Sequence, residues 1–526
     1  MAEYNFTADQ QAQILEAANG LNYWGKRLDT SKAETAGQVA DRLFGGSRVA
    51  ELREFLDANR PVKVKPTKAT AEPVERNPSF TSLDQHFENA PKVEAGTFIV
   101  FSVQNNAQIC APAMATARML ARQLQAELLP VACSYKVDMD NDHPDDLAIS
   151  CQPAPVWLGG DILVLNGDVI PTNKKPINNA KLMSGDRTLT VIPHVKQQAE
   201  SLPRMKGQPE RWAVATGTLC LPRYRAGRAG AEASADHVIG FTVIHNDGSF
   251  DQVELDKDGQ GFYRGLPINE FGFADPAGDS ALVLGDIHAE KLDEHTFADA
   301  IELAQEVAAA HIVLHDLLDF TSRNHHNRGS GLFLASQAGR TVSDDLMEAG
   351  GVLAQLIDQT DAQIVIVNSN HDRALDRWLE EADPRQDPVN CPLWCDLQKP
   401  RYEAALQGIK DDSIPLERAL KLVCKQLDFK RIKFLGRDES YTVHGVELGH
   451  HGDCGINGAR GGYTAFERLG GCYVIGHSHS GYKNGRRVAV AGVTGSFDMG
   501  YNVGASSWSH SHIVITSDGI PQVIAK

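Results

Sequence analysis

Carboxylate, amide and imidazole side chains recur where short apolar runs of this chain end. Asp286 and His288 follow the run 282–284, and alternate residues of an extended chain point to the same side. A carboxylate beside an imidazole is half of a metal site. Four later predicted strands end in similar groups, namely Asp316, Asn370 with His371, His451, and His477 with His479.

This mixture of oxygen and nitrogen ligands suits Mn²⁺, Fe²⁺ or Zn²⁺ better than Ca²⁺. The candidate metal ligands are Asp286, His288, Asp316, Asn370, His451, His477 and His479. They are too many for one tetrahedral ion, but they suit two ions that share a carboxylate. Two ions about 3.5–4 Å apart can hold the attacking and leaving oxygens of phosphoryl transfer. No H-E-x-x-H or G-x-S-x-G motif offers a competing catalytic set.

Alternating strands and helices are expected to position these groups. Residues 282–288, 311–315 and 363–368 read as strands, with helical periodicity between them, notably at 343–357. Further strands are predicted at 431–435, 441–448 and 472–475, and residues 384–412 are predicted to be an irregular insertion. This order predicts a layered α/β core with polar residues delivered at the strand ends.

The chain before residue 280 is predicted to have three parts. Residues 1–60 form a small helical segment, which begins with a capping box from Thr7 to Gln10. This segment could be a helix-turn-helix reader, but a docking bundle is favoured because its lysines and acids are evenly mixed. Residues 61–82 read as a proline-rich linker, and 83–279 as an α/β accessory domain with strand, helix and strand at 97–103, 111–126 and 128–135. Residues 280–526, which carry all the candidate metal ligands, are predicted to form the catalytic domain.

Composition narrows the function classes. The net charge of −17 argues against loose, charge-driven binding to nucleic acid, although bound divalent cations can reverse the local sign at a carboxylate-rich site. No apolar run is long enough to cross a bilayer, and the N-terminus lacks a signal core. The nine scattered cysteines suit a reducing compartment, so a cytoplasmic location without membrane partners is expected.

The ordered motifs resemble those of the calcineurin-like metallophosphoesterase superfamily. They are Gly285-Asp286-x-His288, Asp316-x-x-Asp319, Asn370-His371-Asp372, His451-Gly452 and Gly476-His477-x-His479. The resemblance covers about residues 280–500 and implies a β-sandwich flanked by helices, with a dinuclear site. It implies that Asp286, His288 and His479 hold one ion, that Asn370, His451 and His477 hold the other, and that Asp316 bridges. His371 would then act on the leaving group as general acid or contact the scissile phosphate.

Three points of the motifs leave questions open. His315 and Ser369 stand where the family usually has glycine before Asp316 and Asn370, which could alter the loops. His450 is an alternative ligand to His451, and His451 is preferred because it directly precedes Gly452.

A narrower resemblance covers more of the chain. The stretch 98–135, the turns at 171–172 and 215–217, Asn324-His325-His326 and the glycine loop 452–462 are similar to the nuclease-type DNA transfer proteins that some tailed phages make early in infection. That resemblance implies Mn²⁺-dependent DNA degradation by a phage-encoded protein in the host cytoplasm. Residues 1–60 do not obviously fit it.

Other residues are candidates for contacts with substrate or with the ligands. His325 and His326 could touch a substrate phosphate, or could be a loop pair without a direct role. Asp319 and Asp372 are predicted to orient histidines. Arg460 could clamp phosphate or simply be solvated.

Three hypotheses about function remain at this stage. The favoured one is a dinuclear-metal phosphodiesterase, a DNase whose two ions are Mn²⁺, with Fe or Zn as alternatives. The second is a small-molecule phosphatase or cyclic-nucleotide phosphodiesterase on the same core, and the third is a catalytically silent scaffold protein. DNA is the expected substrate of the first, and a homo-oligomer is left open.

Overall fold

The computed structural model describes most of the chain. It covers residues 6–20, 52, 55, 87, 90–134, 155–159, 161–165, 169–324, 330–337, 339–411, 413–500 and 502–525. The chain divides into two compact units, Met1–Phe80 and Thr81–Lys526. The predicted linker at 61–82 lies outside the described residues, as do His325 and His326.

The described residues form eleven α-helices and several short 3-10 turns. The helices are α1 (Ala8–Gly20), α2 (Ala111–Leu124), α3 (Pro176–Ala180), α4 (Arg228–Ala235), α5 (Glu294–Glu306), α6 (Gly331–Ser336), α7 (Val342–Gln359), α8 (Ala374–Glu381), α9 (Cys391–Leu406), α10 (Pro415–Val423) and α11 (Tyr463–Phe466). The 3-10 turns are Lys181–Met183, Ala289–Lys291, Thr321–Arg323, Phe429–Arg431 and Ile456–Gly458. Within the described part of the chain, none of the helices combines the length and the apolar character that crossing a bilayer requires.

Twenty-four strands are described, thirteen of them before residue 280. These are β1 (Lys92–Val93), β2 (Phe98–Gln104), β3 (Glu127–Cys133), β4 (Val156–Leu158), β5 (Ile162–Val164), β6 (Leu189–Ile192), β7 (Gln197–Ser201), β8 (Trp212–Thr216), β9 (Gly240–Ile244), β10 (Phe250–Glu254), β11 (Gly261–Tyr263), β12 (Leu266–Asn269) and β13 (Gly272–Phe273). The later strands are β14 (Ala281–Val283), β15 (His311–Leu314), β16 (Gln363–Ile366), β17 (Ile432–Phe434), β18 (Thr442–Val443), β19 (Val446–Glu447), β20 (Cys472–Ile475), β21 (Tyr482–Asn484), β22 (Val488–Val490), β23 (Ser511–Ile515) and β24 (Pro521–Ala525).

The first unit begins with the predicted capping box. The Thr7 hydroxyl accepts from the Gln10 backbone N–H at 3.3 Å, and the Gln10 side chain accepts from the Thr7 N–H at 2.9 Å. These two bonds satisfy backbone donors that the first turn of a helix leaves unpaired, so the prediction of a capped helix start at Thr7 is confirmed. The ring of Phe6 packs edge-on against Phe55, with centroids 5.5 Å apart.

A six-stranded sheet carries the first three predicted site strands. Its order is β17-β16-β15-β14-β23-β24, with β14 to β17 parallel and β23 and β24 antiparallel. Side chains alternate between its faces: Leu282 joins a core shared with helices α5, α7, α8 and α10, whereas Ala281 and Val283 join a core on the opposite face. Both faces are buried, which explains why these strands are continuous apolar runs in the sequence.

The second face of this sheet packs against an eleven-stranded sheet. The order of the larger sheet is β1-β4-β5-β6-β8-β7-β21-β22-β20-β19-β18, and Val214, Val474 and Ala489 lie in the same core as Val283. Strand β7 pairs antiparallel with β21, so one sheet spans the predicted boundary at residue 280. Whether 83–279 and 280–526 fold as separate domains therefore stays a prediction.

The smaller sheets belong to the region before residue 280. The strand–helix–strand unit predicted there is present as β2, α2 and β3, and β2 pairs in parallel with β3 from Phe98 to Gln104. This pair lies in the four-stranded sheet β10-β9-β2-β3, and β11-β12-β13 form a three-stranded sheet. The chain is thus a mixed α/β protein with several sheets, as the sequence predicts at that level.

Two local predictions were wrong. Residues 384–412, expected to be irregular, contain the sixteen-residue helix α9. Its interior Pro400 and its lack of an apolar stripe, with only Leu397 and Gln398 buried, hide the helix from periodicity. The single strand expected at 441–448 is a hairpin of β18 and β19, which turns at His444 and Gly445, both with positive φ.

Candidate metal centre

Backbone pairing beyond the ends of β14 and β15 sets two of the predicted ligand segments side by side. The Ile287 N–H donates to the His315 carbonyl at 3.0 Å, and the His288 N–H donates to the Asp316 carbonyl at 2.8 Å. On the other side, the Asp286 N–H donates to the Gly492 carbonyl at 3.0 Å. The loop after β14 is therefore fixed between two neighbouring segments of backbone.

Four candidate ligands adopt backbone conformations that L-residues rarely adopt. The φ angles are +48° at His288, +43° at Asp316, +70° at His477 and +55° at His479. Each such residue costs on the order of 1–3 kcal/mol and persists only where the surroundings enforce it. Strain concentrated on residues of one cluster is typical of functional sites rather than of ordinary loops.

The first group of ligand atoms comprises Asp286, His288, Asp316 and His479. All four residues are buried, and one ligand atom from each lies within 4.8 Å of the others. The His479 Nε2 atom is 3.1 Å from Asp286 Oδ2 and 3.1 Å from His288 Nε2. His288 Nε2 is in turn 3.9 Å from Asp316 Oδ2. This buried Asp/His group could hold a metal ion.

A second group gathers around the Asn370 amide. Its Oδ1 atom lies 2.8 Å from His451 Nε2 and 3.0 Å from His477 Nδ1. The same His451 nitrogen is 3.2 Å from Asp316 Oδ2. The Asp316 carboxylate therefore reaches both groups, and all seven predicted ligands lie in one continuous cluster.

Unpartnered polar atoms show that the cluster suits a cation. Asp286 Oδ1 and Asp316 Oδ2 are buried and accept no hydrogen bond of good geometry, although Asp316 Oδ2 lies 3.2 Å from His451 Nε2. Buried oxygens of this kind are rare because leaving them unpaired costs folding free energy. Carboxylate oxygens that face imidazole nitrogens form a donor set that Mn²⁺, Fe²⁺ or Zn²⁺ would satisfy.

The electrostatics of the cluster favour ionised carboxylates. Burial alone would raise the pKa of Asp316, but His451 and His371 hold it well below its usual range. Burial likewise opposes ionisation of Asp286, yet His479 lowers its pKa. For His288, burial is the largest influence and lowers the pKa, which favours the neutral imidazole. Ionised carboxylates and neutral imidazoles are the forms that bind metals.

His371 lies at the edge of the cluster. Its backbone N–H donates to Asp316 Oδ1 at 3.0 Å, and its Nδ1 atom is 3.4 Å from Asp319 Oδ1. Its ring lies edge-on to that of His288, with centroids 4.7 Å apart, and its side chain is 17% exposed. Burial would lower the pKa of His371, but Asp316 and Asp319 raise it to about 10.

Asp319 contacts two histidines at once. Its Oδ1 atom is 3.4 Å from Nδ1 of both His288 and His371, and its Oδ2 atom accepts from the Thr321 hydroxyl at 2.7 Å. Glu290 supports this loop by accepting from the backbone N–H groups of Asp319 and Phe320, each at 2.7 Å. The sequence analysis missed Glu290, although its place two residues after His288 is a signal that could have suggested a role.

Asp372 is placed differently from the expectation that it orients a histidine. Its carboxylate accepts from the Ser369 hydroxyl at 2.5 Å and from the Leu318 N–H at 2.9 Å. The Ser369 oxygen accepts in turn from the Asp316 N–H at 3.0 Å. Asp372 thus holds the backbone around Asp316, and the serine in place of the usual glycine supplies the link.

The two neighbouring histidines 450 and 451 point to different surroundings. His451 contacts Asp316 and Asn370, whereas the ring of His450 lies 6.1 Å from that of Phe466. His315, which replaces the other glycine, is buried, with its Nδ1 atom 3.4 Å from that of His451. Burial lowers the pKa of His315 to about 4.

The remaining predicted contacts lie farther from the cluster or outside the described residues. Arg460 is exposed in the glycine loop, where its backbone pairs with Cys454. His325 and His326 are not among the described residues. The roles of all three stay predictions.

Trp508 borders the site and was missed by the sequence analysis. Its ring lies 4.3 Å from that of His479, and its carbonyl accepts from Arg204 at 2.6 Å. Arg204 comes from the region before residue 280, and the guanidinium also covers the ring of Phe497. No local pattern links residues 204 and 508, so the sequence holds no signal for this contact.

Comparison with known proteins identifies a relative over nearly the whole chain. No protein-family model matches, and no solved structure matches. Protein A1 of Escherichia phage T5 is 35% identical to this chain over an alignment of 555 positions. The alignment spans 98% of this chain and 97% of the relative. At this identity and coverage the two proteins share one evolutionary family, and the chain is a phage-related protein. The chain therefore belongs to the family of Protein A1 of Escherichia phage T5.

Proposed function

We propose that this protein is a dinuclear-metal phosphodiesterase that hydrolyses DNA. The observation that carries the proposal is the position of Asp316, whose Oδ2 atom is 3.9 Å from His288 Nε2 and 3.2 Å from His451 Nε2. A single carboxylate shared by two ligand groups is the arrangement that two adjacent cations need. The buried, unpartnered oxygens of Asp286 and Asp316 support it.

The ligands divide between two ions in this proposal. Asp286, His288 and His479 hold one, Asn370, His451 and His477 hold the other, and Asp316 is shared. When bound, the cations supply Lewis-acid activation of a phosphodiester and lower the pKa of water. Mn²⁺ is the proposed metal because the oxygen and imidazole donors suit it, with Fe²⁺ and Zn²⁺ as the alternatives.

His371 is the proposed catalytic acid. Its partly exposed ring adjoins the cluster without belonging to either proposed ligand group, so it is placed to meet the leaving oxygen of a bound diester. The Asp319 Oδ1 atom lies 3.4 Å from His371 Nδ1, and this charge contact orients the ring. Protonation of the leaving oxygen by a positioned histidine contributes typically about 10²–10⁴-fold to such reactions.

DNA is the proposed substrate class. The motif resemblance to nuclease-type phage proteins and the relationship to a phage protein support it. The net charge of −17 is compatible with this substrate because two bound divalent cations make the site locally positive. Action on host DNA in the host cytoplasm is part of the same proposal.

The test compares three substrates with Mn²⁺-loaded protein: plasmid DNA, bis(p-nitrophenyl) phosphate and p-nitrophenyl phosphate. Cleavage of plasmid DNA and of the diester is expected, and Asp286→Asn should abolish both. The exposed Asp275→Asn is the matched control and should cleave like the wild type. Cleavage of the small esters without DNA would favour the small-molecule phosphatase, and metal-loaded protein without any cleavage would favour the silent scaffold.

A further inference from the structure

We propose that the cavity between His451 and the glycine loop 452–462 binds the nucleoside next to the phosphate that is cleaved. This inference rests on the proposed function and names a part of the substrate that the metal cluster does not contact. It assigns the cavity to a neutral, aromatic group rather than to a second phosphate.

The cavity adjoins the second ligand group. It has a volume of about 470 Å³, and its walls include His451 and Asn368. Asn368 lies two residues before Asn370, and His451 contacts Asn370 directly. A phosphate held by the cluster therefore has the cavity beside it. The volume falls in the range of about 300–1,000 Å³ that is usual for small-molecule sites.

Part of the cavity lining is apolar and aromatic. Phe466, Ala465, Leu469 and Ile456 line it, and the ring of His450 lies 6.1 Å from that of Phe466. Each base stacked on an aromatic side chain contributes about 1–3 kcal/mol to single-strand binding, whatever its sequence. This part of the lining therefore suits the face of a base.

The rest of the lining is polar. It includes Asn368 and the carboxylates of Asp438 and Asp453. Arg437 donates to both Asp453 oxygens at 2.7 Å and to the Asn368 carbonyl at 2.9 Å. A base carries both donors and acceptors, so it can pair with polar groups of this lining.

The charge of the lining decides between a nucleoside and a second phosphate. Among the described residues that line the cavity, Arg437 is the one lysine or arginine, and Asp438 and Asp453 are carboxylates. Asp453 already neutralises Arg437 through a two-pronged contact. Among the described lining residues, no lysine or arginine is therefore left to bind a second phosphate, whereas a neutral nucleoside needs none.

Close backbone packing at two glycines borders the cavity. A Cβ atom at Gly461 would lie 1.9 Å from the Gly452 carbonyl oxygen, and one at Gly449 would lie 2.3 Å from that of Glu439. These positions accept only glycine because neighbouring backbone segments touch there. A larger side chain at either position would therefore displace backbone beside the cavity.

The first experiment uses the wild-type protein and its own cysteines. Cys454 lines the cavity and is exposed, and Cys395 is exposed on helix α9 outside it. Mn²⁺-loaded protein is treated with iodoacetamide, and alkylation of each cysteine is followed by mass spectrometry. Saturating deoxyadenosine 5′-monophosphate should slow alkylation of Cys454 at least fivefold without changing Cys395. Deoxyribose 5-phosphate, which lacks the base, should not protect Cys454.

Calorimetry with the same two ligands supplies a second readout. The nucleotide should bind at least tenfold more tightly than the sugar phosphate. Ile456→Trp, at the cavity wall, should reduce that ratio to less than twofold, whereas Val503→Trp, 90% exposed and outside the lining, should preserve it. Equal binding of both ligands by the wild type, or equal protection of Cys454 by both, would overturn the proposal.

Hydrolysis of a short oligodeoxynucleotide and of its abasic counterpart by the wild-type protein separates this inference from the proposed function. The abasic strand contains no base, so it should be cleaved with a higher KM than the intact strand. Wild-type protein that prefers the nucleotide but hydrolyses no diester would retain the cavity assignment and refute the proposed function. Diester hydrolysis without any preference for the nucleotide would retain the proposed function and refute the cavity assignment.

Discussion

A Cβ atom at Gly476 would lie 2.2 Å from the Oδ1 atom of Asp286 and 3.0 Å from the ring of His315. The N–H of the next residue, His477, donates to Asp286 Oδ2 at 2.8 Å. The carboxylate is thus held by the backbone of one ligand segment at a distance that admits only glycine. This contact joins the first and last of the five strand ends.

The first prediction concerns this contact. Gly476→Ala should displace the Asp286 carboxylate and reduce the Mn²⁺ bound at saturation to half or less of the wild-type amount. Overpacking of this kind also lowers the free energy of unfolding by about 1–3 kcal/mol. Metal content by elemental analysis and chemical denaturation measure the two effects.

Gly351→Ala is the matched control. Gly351 lies inside helix α7, and a Cβ atom there would meet nothing within 4 Å. The substitution should leave metal content unchanged and raise the free energy of unfolding by about 0.5–1 kcal/mol. Full metal content in Gly476→Ala would contradict the role given to the contact.

The second prediction separates two adjacent histidines. His451→Ala should lose one of the two ions because its Nε2 atom contacts both Asp316 and Asn370. His450→Ala should keep both ions because its ring packs toward Phe466 instead. Elemental analysis of the two purified variants measures how many ions each retains. The opposite pattern of metal loss would show that the ligand is His450.

The third prediction concerns His371. Its backbone N–H, rather than its side chain, holds Asp316, so His371→Ala should retain both metals. Diester hydrolysis should fall about 10²–10⁴-fold because the proton donor is lost. His295→Ala, at an exposed histidine, is the control and should be fully active. Loss of both metals from His371→Ala would contradict its assignment as the acid.

The positions of the ligands could be predicted from the sequence. The residues that hold those ligands in place could not. Asp286 and Asn370 each follow an apolar run, and parallel strands present such ends at one edge of a sheet. The residues that hold the ligands come from distant segments without a local pattern. Glu290 accepts from the backbone at 319–320, and Asp372 acts through Ser369 on Asp316.

Helix α9 and the cavity illustrate two further limits. The sequence of α9 has Pro400 in its interior and no apolar stripe, so periodicity gives no sign of a helix. The cavity depends on the approach of Asn368, Arg437 and Phe466, which are far apart in the chain. Long-range approach of this kind is set by tertiary packing, which composition and spacing do not report.

The fourth prediction concerns stability against acid. His194 is fully buried: its Nδ1 atom accepts from the Lys196 N–H, and its Nε2 atom donates to the Ile170 carbonyl, each at 3.1 Å. Burial lowers the pKa of His194 from 6.5 to about 3. Between pH 6.5 and about pH 3, His194 therefore binds a proton in the unfolded chain but not in the folded chain. Stability from this group is complete above pH 6.5 and is lost as the pH falls toward 3.

Chemical denaturation of metal-free protein at pH 7.5 and pH 5.0 tests this. One such group contributes about 1.4 kcal/mol per pH unit below its unfolded pKa. His194→Gln should therefore lose about 2 kcal/mol less than the wild type between the two pH values. The exposed His295→Gln should lose as much as the wild type. An equal loss of unfolding free energy in all three proteins would contradict the role given to buried, neutral His194.

The most direct test of the whole account is electron paramagnetic resonance of metal-free protein titrated with Mn²⁺. Two ions that shared Asp316 would lie about 3.5–4 Å apart, so their spins would couple. The account predicts two ions per chain at saturation and a spin-coupled spectrum, which Asp316→Asn converts to that of isolated ions or loses. A saturated wild-type protein with one ion per chain, or with two uncoupled ions, would contradict it.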